Sequence, residues 1–282
     1  MTAAITVRQL TVTFRAGFRR PAVIALSPMD LDVAAGSILG VLGPNGSGKT
    51  TMLRVLAGMQ RPTGGRARVL DREPGDRALL QQVSFQPEGP LPLGQLSALR
   101  FLEVMTAMQQ LPWRRVRTRA EGLLQQLELA NAGRRPLRTF STGMQKRLAL
   151  AAVLLPEPRV LLLDEPTSGL DPIGSALVMR LLQERASAGA TVVLASHHLQ
   201  EVEQICSEVI VLQYGRLCAH GTLEQLLATD DRRFVVRGID DAGALQVAAT
   251  VRQLGGEVVQ QGHAREHLFA FYRRLAERDR AP

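Results

Sequence analysis

Lysine is almost missing from this 282-residue sequence. Of its 34 basic residues only Lys49 and Lys146 are lysines, and the remaining arginines are scattered along the whole chain. The net charge of +8 therefore has no cluster behind it, and reads as a solvated arginine-rich surface more than as a built polyanion site. The scarcity also singles out the two lysines. Where arginine is the default cation, a retained lysine points to a place that accepts a compact ammonium and not a planar guanidinium. Cysteine is just as scarce: Cys206 and Cys218 stand outside any CxxC pair, which excludes a disulfide framework and a cysteine zinc site. Long apolar runs are lacking too. The longest, Leu148 to Leu155, has eight residues, against the roughly 20 that a bilayer-spanning helix needs. The N-terminal stretch has neither the apolar core nor the small-residue site of a secretion signal, so a cytoplasmic protein is expected. No period of solenoid length repeats.

What remains is an ordinary globular balance, 45% hydrophobic and 21% charged, with a mean hydropathy of +0.02. The length suits one large domain, or a large one and a small one. Lys49 lies in Gly43-Pro44-Asn45-Gly46-Ser47-Gly48-Lys49-Thr50, which fits G-x-x-x-x-G-K-[ST]. The apolar run Ile38 to Leu42 before it reads as a buried strand, and a helical pattern follows from Thr50 to Ala57. In that context the glycines let backbone N–H groups turn in around phosphates, the helix N-terminus adds partial positive charge, and the Lys49 ammonium reaches the β- and γ-phosphates. Thr50, followed by Thr51, is the candidate Mg²⁺ ligand. The glycine spacing does not fit a dinucleotide fingerprint.

A second buried strand, Val160 to Leu163, ends in Asp164-Glu165. Apolar on both faces, it belongs in a parallel sheet, and paired carboxylates at its carboxyl end fall where such sheets bind ligands. Asp164 is the candidate to hold magnesium through water. Glu165 is the candidate to polarise an attacking water.

With these residues in place the chain resembles the ATP-binding subunit of an ABC transporter over about residues 4 to 222. Phe140-Ser141-Thr142-Gly143-Met144-Gln145 looks like the family's signature motif in the Ser-x-Gly-Met form found among drug-export subunits. The resemblance implies that Ser141 and Gly143, at a helix start, receive the γ-phosphate held by the phosphate loop of a second subunit, homodimeric or paralogous. It makes Asp171 part of the loop that couples the two sites, and His197, after the strand Thr191 to Ser196, the switch histidine that donates to the γ-phosphate or the attacking water. Phe14 takes the adenine-stacking place, with Phe18 a weaker candidate. The family's glutamine after an aromatic-x-Pro run is replaced: Glu88 occupies that place as the Mg²⁺ sensor, and Gln86 reads as a strand residue.

The implied fold is α/β, a P-loop NTPase with a RecA-like parallel sheet, N-terminal antiparallel strands, a helical subdomain inserted at about 90–155, and a small α+β extension over 223–282. In that extension the pattern predicts a strand at Arg233 to Arg237, a helix from Asp241 to Leu254 stopped by Gly255-Gly256, a strand at Glu257 to Val259 and a helix from about Arg265 to Arg278. The resemblance implies ATP and Mg²⁺ as cofactors, catalysis by Glu165, His197 and Lys49, and transmembrane permease subunits docking near Glu88. It places the protein peripherally on the cytoplasmic face of the inner membrane, powering export by ATP-driven closure and hydrolysis-driven reopening. The other class is a soluble relative acting on nucleic acid or the ribosome. Those carry paired cassettes, coiled coils or zinc inserts, none of which is seen here, so no nucleic acid is expected.

Overall fold

The computed structural model describes residues 2–14, 22–89, 91–92, 94–228, 238 and 240–258. The chain divides into two compact units, Met1–Leu227 and Ala228–Pro282. In chain order the first unit runs β1 (Ala3–Phe14), β2 (Val23–Ala34), β3 (Ile38–Leu42), α1 (Lys49–Leu56), β4 (Gly64–Val69), β5 (Val83–Gln86), α2 (Ala98–Met108), α3 (Trp113–Gln126), α4 (Thr142–Leu154) and β6 (Val160–Asp164). It continues with α5 (Pro172–Ser187), β7 (Thr191–Ser196), α6 (Leu199–Ile205), β8 (Glu208–Gln213), β9 (Arg216–Thr222) and the short α7 (Leu223–Leu226).

Six strands form the central sheet in the order β5-β6-β7-β3-β8-β9. All neighbours are parallel except β8 and β9, which make an antiparallel hairpin at the edge. The middle strands explain why the sheet forms. Val160 and Leu162 of β6 point into one apolar cluster with Val193, Met52 and Leu56, while Leu161 and Leu163 point into another with Val192, Leu148 and Leu182. All four β6 side chains are fully buried, and burial of each such aliphatic contributes about 1.5–3 kcal/mol. An uninterrupted Val-Leu-Leu-Leu run is the composition that two covered faces demand.

One face is covered by α1 and by the antiparallel sheet β2-β1-β4. The other is covered by the helices, whose core combines Phe101 and Leu102 of α2, Leu123 and Leu124 of α3 and the almost wholly buried second half of α4. The structure thus has the expected fold, a parallel core with N-terminal antiparallel strands and a helical stretch between β5 and β6. The antiparallel β9 edge was not read from the sequence. Its sequence Arg216–Thr222 alternates between exposed and half-buried residues, the pattern of a strand with one wet face.

In the second unit the described helix is α8 (Asp241–Gln253), capped by Asp240 and followed by Gly255 at φ 81°. That agrees with the helix read from the sequence. Glu257 and Val258 lie in no strand, against the expectation for Glu257 to Val259. They follow the Gly255-Gly256 stop with no pairing partner among the described residues. The predicted strand at 233–237, the helix at 265–278 and Phe18 lie outside the described residues.

Candidate nucleotide-binding site

The phosphate loop runs from the end of β3 into the N-terminus of α1. Two glycines in it are sterically required. A side chain on Gly43 would come within 2.2 Å of the Leu212 carbonyl oxygen, and one on Gly48, at φ 106°, within 2.6 Å of the Ala25 carbonyl. The loop is braced from behind. Gly215, in the β8–β9 turn, donates its N–H to the Ser47 carbonyl at 3.0 Å, and its own carbonyl accepts from Ser27 of β2 at 2.7 Å. Pro44, Asn45 and Gly46 are exposed, whereas Ser47, Gly48 and Lys49 are buried. The Lys49 ammonium donates to the carbonyls of Gly43 at 2.7 Å and Pro44 at 3.3 Å, which folds the lysine back over its own loop.

Thr50 Oγ donates to Asp164 Oδ2 at 2.7 Å, which ties the first turn of α1 to the end of β6 across 114 residues of sequence. The other Asp164 oxygen is buried and has no hydrogen-bond partner among the described residues. Burial, the largest influence, pushes the Asp164 carboxyl above its usual range, and the Thr50 hydrogen bond and Lys49 act in the opposite direction. A hydroxyl beside a carboxylate with one oxygen uncommitted is a hard oxygen donor set, the kind that suits Mg²⁺.

Glu165 is buried, and its Oε2 lies 2.8 Å from Nδ1 of His197, which follows the end of β7 and is exposed. With Nδ1–H given to this carboxylate, a second donation from Nε2 requires the protonated ring. Glu165 also adopts φ +50°, a left-handed conformation uncommon for a residue with a side chain. Two further contacts hold it, from its N–H to the Ala195 carbonyl at 2.9 Å and from the Lys146 ammonium to its own carbonyl at 2.8 Å.

Ser141 is the N-cap of α4. Its Oγ accepts from Met144 N–H at 3.2 Å, and the residue is exposed. Gly143 packs against Leu170, and Thr142 against Gly169. Asp171 caps α5 by accepting from Gly174 N–H at 2.6 Å. Signature segment and coupling loop are therefore neighbours within one chain, while the contacts of Ser141 are local to its own helix. Phe14 is 43% exposed at the end of β1, and Gln86 is a buried residue of β5 with both amide atoms unpartnered among the described residues. Glu88 is exposed just beyond β5. Sequence reasoning missed the Gly215 brace and the Lys146 contact. Only the rarity of lysine signalled the second.

A family model described as ABC transporter matches residues 26–168, a span that holds the phosphate loop, the signature segment and both strand-end carboxylates. The chain belongs to this family. An uncharacterized ABC transporter ATP-binding protein of Nostoc sp. is 33% identical over 93% of this chain and 87% of its own length. A daunorubicin resistance ATP-binding protein of Streptomyces coeruleorubidus is 40% identical over 83% of this chain and 75% of its own. Among solved structures, a dimeric ATP-binding cassette in a post-hydrolysis state bound to ADP and Pi is 25% identical, covers 78% of this chain and 98% of its own, and superposes with a TM-score of 0.70. This ABC ATP-binding subunit is an ATPase of the P-loop class. Such subunits dimerise and work with transmembrane subunits. Among the described residues no helix is long and apolar enough to cross a membrane.

Proposed function

We propose that this chain powers export through separate transmembrane subunits by closing, as a head-to-tail pair, over two ATP molecules. The observation that supports this most directly is the division of parts within one protomer. Lys49, Thr50, Asp164, Glu165 and His197 gather around the ends of β3, β6 and β7, while Ser141 and Gly143 present an exposed helix start beside the Gly169-Leu170-Asp171 turn. Neither set alone encloses a triphosphate. Two copies facing each other supply both sets to each nucleotide.

In that arrangement the backbone N–H groups of residues 45–51 and the ammonium of Lys49 hold the β- and γ-phosphates, and Phe14 stacks on adenine. Thr50 and Asp164 would hold Mg²⁺, with Glu88 reaching it through water, and the ion when bound neutralises charge on the phosphate oxygens. Glu165 accepts the proton of the attacking water; His197 orients Glu165 through Nδ1–H, and in the protonated ring its Nε2–H also donates to the γ-phosphate. The partner's Ser141 hydroxyl and Gly143 N–H stabilise charge on the same group. Cleavage removes what both copies grip, and the pair reopens.

Glu88 and the following segment are the place for a membrane partner's short helices, which sets the chain peripherally against the inner face of the membrane. The similarity to a daunorubicin resistance protein supports export. Co-purification from detergent-solubilised membranes tests the reading: the chain should bring down a hydrophobic polypeptide whose recovery rises on ATP addition. Recovery of ribosomes or nucleic acid in its place refutes it.

A further inference from the structure

Lys146 is the second of the two lysines, and the phosphate chemistry above does not use it. It lies on α4, only 7% exposed, and its ammonium donates to the backbone carbonyl of Glu165 at 2.8 Å. Burying an ammonium against a neutral carbonyl is costly. Part of the cost is offset by the negative field of Glu88, the strongest of the three carboxylates acting on it, and of Glu165 and Asp164. A residue maintained at that cost has something to hold. Its partner is, among the described site residues that carry a side chain, the one in a left-handed backbone conformation, φ +50°, which costs on the order of 1–3 kcal/mol and persists only where the surroundings over-determine it.

The contacts around that peptide form a clamp. The Glu165 N–H is fixed to Ala195 of β7 at 2.9 Å, and its carbonyl accepts from Lys146 of α4 and, more weakly, from Ser168 N–H at 3.3 Å. Between these two ends the side chain is directed to His197. Release of the carbonyl would let the backbone relax to the ordinary right-handed or extended regions, and the carboxylate would swing with it. A small ammonium can occupy this enclosed place, whereas the wider, planar guanidinium found at almost every other basic position needs more room and a fork-shaped acceptor.

We propose that Lys146 is a positioning residue for hydrolysis: by holding the Glu165 carbonyl it keeps the peptide in the conformation that aims the carboxylate at the attacking water. This rests on Glu165 being the base. The Lys146 ammonium is committed to the Glu165 carbonyl, so its loss should lower kcat and leave substrate binding unchanged.

The test compares Lys146→Met, which keeps the length and loses the donor, with Glu165→Gln and with the double variant, and measures ATP turnover, affinity for a nonhydrolysable ATP analogue and thermal midpoint. Lys146→Met should lower kcat by about tenfold or more, leave affinity within about twofold, and add nothing further in the Glu165→Gln background, because residues that act as a unit are not additive. Lys146→Gln, a shorter N–H donor, should recover part of the loss. Full turnover by Lys146→Met, a parallel fall in affinity, or additive losses in the double variant would each overturn the inference. If Lys146→Met does not fold, Lys146→Gln alone and combined with Glu165→Gln carries the same comparison. The two readings fail differently. Full turnover by Glu165→Gln removes the base itself, whereas an inactive Glu165→Gln beside a fully active Lys146→Met removes only the role of Lys146.

Discussion

Glu165 Oε2 and His197 Nδ1 lie 2.8 Å apart, one on a buried strand end and the other exposed to solvent. The pair joins the carboxyl ends of β6 and β7, adjacent parallel strands. Glu165→Gln should retain nucleotide affinity and lose turnover by on the order of 10²–10⁴, the usual contribution of a general base. His197→Ala should lose less, because it removes the orienting partner and leaves the base in place. Steady-state turnover and analogue affinity measured on the same preparations decide this. A His197→Ala loss larger than that of Glu165→Gln would reverse the roles.

The head-to-tail arrangement predicts complementation. Ser141→Asp keeps a good N-cap for α4 while it places negative charge against the partner's γ-phosphate, and Lys49→Ala removes the main phosphate cation. Each variant alone should be inactive. Mixed in equal amounts, they should regain activity, because a pair with one chain of each kind concentrates both defects in one site and leaves the other intact, about a quarter of all sites. A double variant mixed with wild type shows no such recovery. Absence of any gain on mixing would argue against a shared site.

Asp164 should trade stability against function. Its folded-state pKa is raised, chiefly by burial, so between the unfolded and folded values the native state binds more protons and stability falls as pH rises. Its ionised form is therefore a cost to the free protein at neutral pH. Asp164→Asn should raise the thermal midpoint, because the buried charge is removed, and should abolish Mg²⁺-dependent turnover. Calorimetry in Mg²⁺-free buffer reads the first effect, and a magnesium titration of activity the second. A lower midpoint would show that the Thr50 contact outweighs the burial.

Phe14→Ala should weaken ATP binding by about 1–3 kcal/mol, the range for base stacking on an aromatic, with little effect on inorganic triphosphate. Exposure of the ring at the end of β1 separates this change from any loss of fold. Equal losses for both ligands would move the adenine contact elsewhere, with Phe18→Ala the comparison.

The parts of the candidate site were legible in the sequence because each is local. Strand, glycine loop and helix follow one another from Ile38 to Leu56, and Asp164-Glu165 announces itself by interrupting an apolar run. The core sheet was readable for the same reason, since a fully buried strand leaves no alternation to misread. What escaped were contacts to backbone. A carbonyl such as that of Glu165 or Ser47 is the same in every residue, so nothing in the letters points Lys146 or Gly215 toward it. The edge strand β9 was obscure because its run Arg216–Thr222 includes Ala219 and Gly221, residues of low strand preference. At Glu257 to Val259 the paired valines suggested a strand, but a strand also needs a neighbour to pair with.

The β8–β9 hairpin gives the molecule a back wall. Its turn at Gly215 fastens both to the Ser47 carbonyl and to Ser27, so the cradle for the triphosphate is held in place by a segment some 170 residues away. Lengthening or shortening that hairpin by a single residue would slacken the cradle without altering any group that meets the nucleotide, and affinity lost in this way could not be restored by any change within the glycine-rich stretch itself.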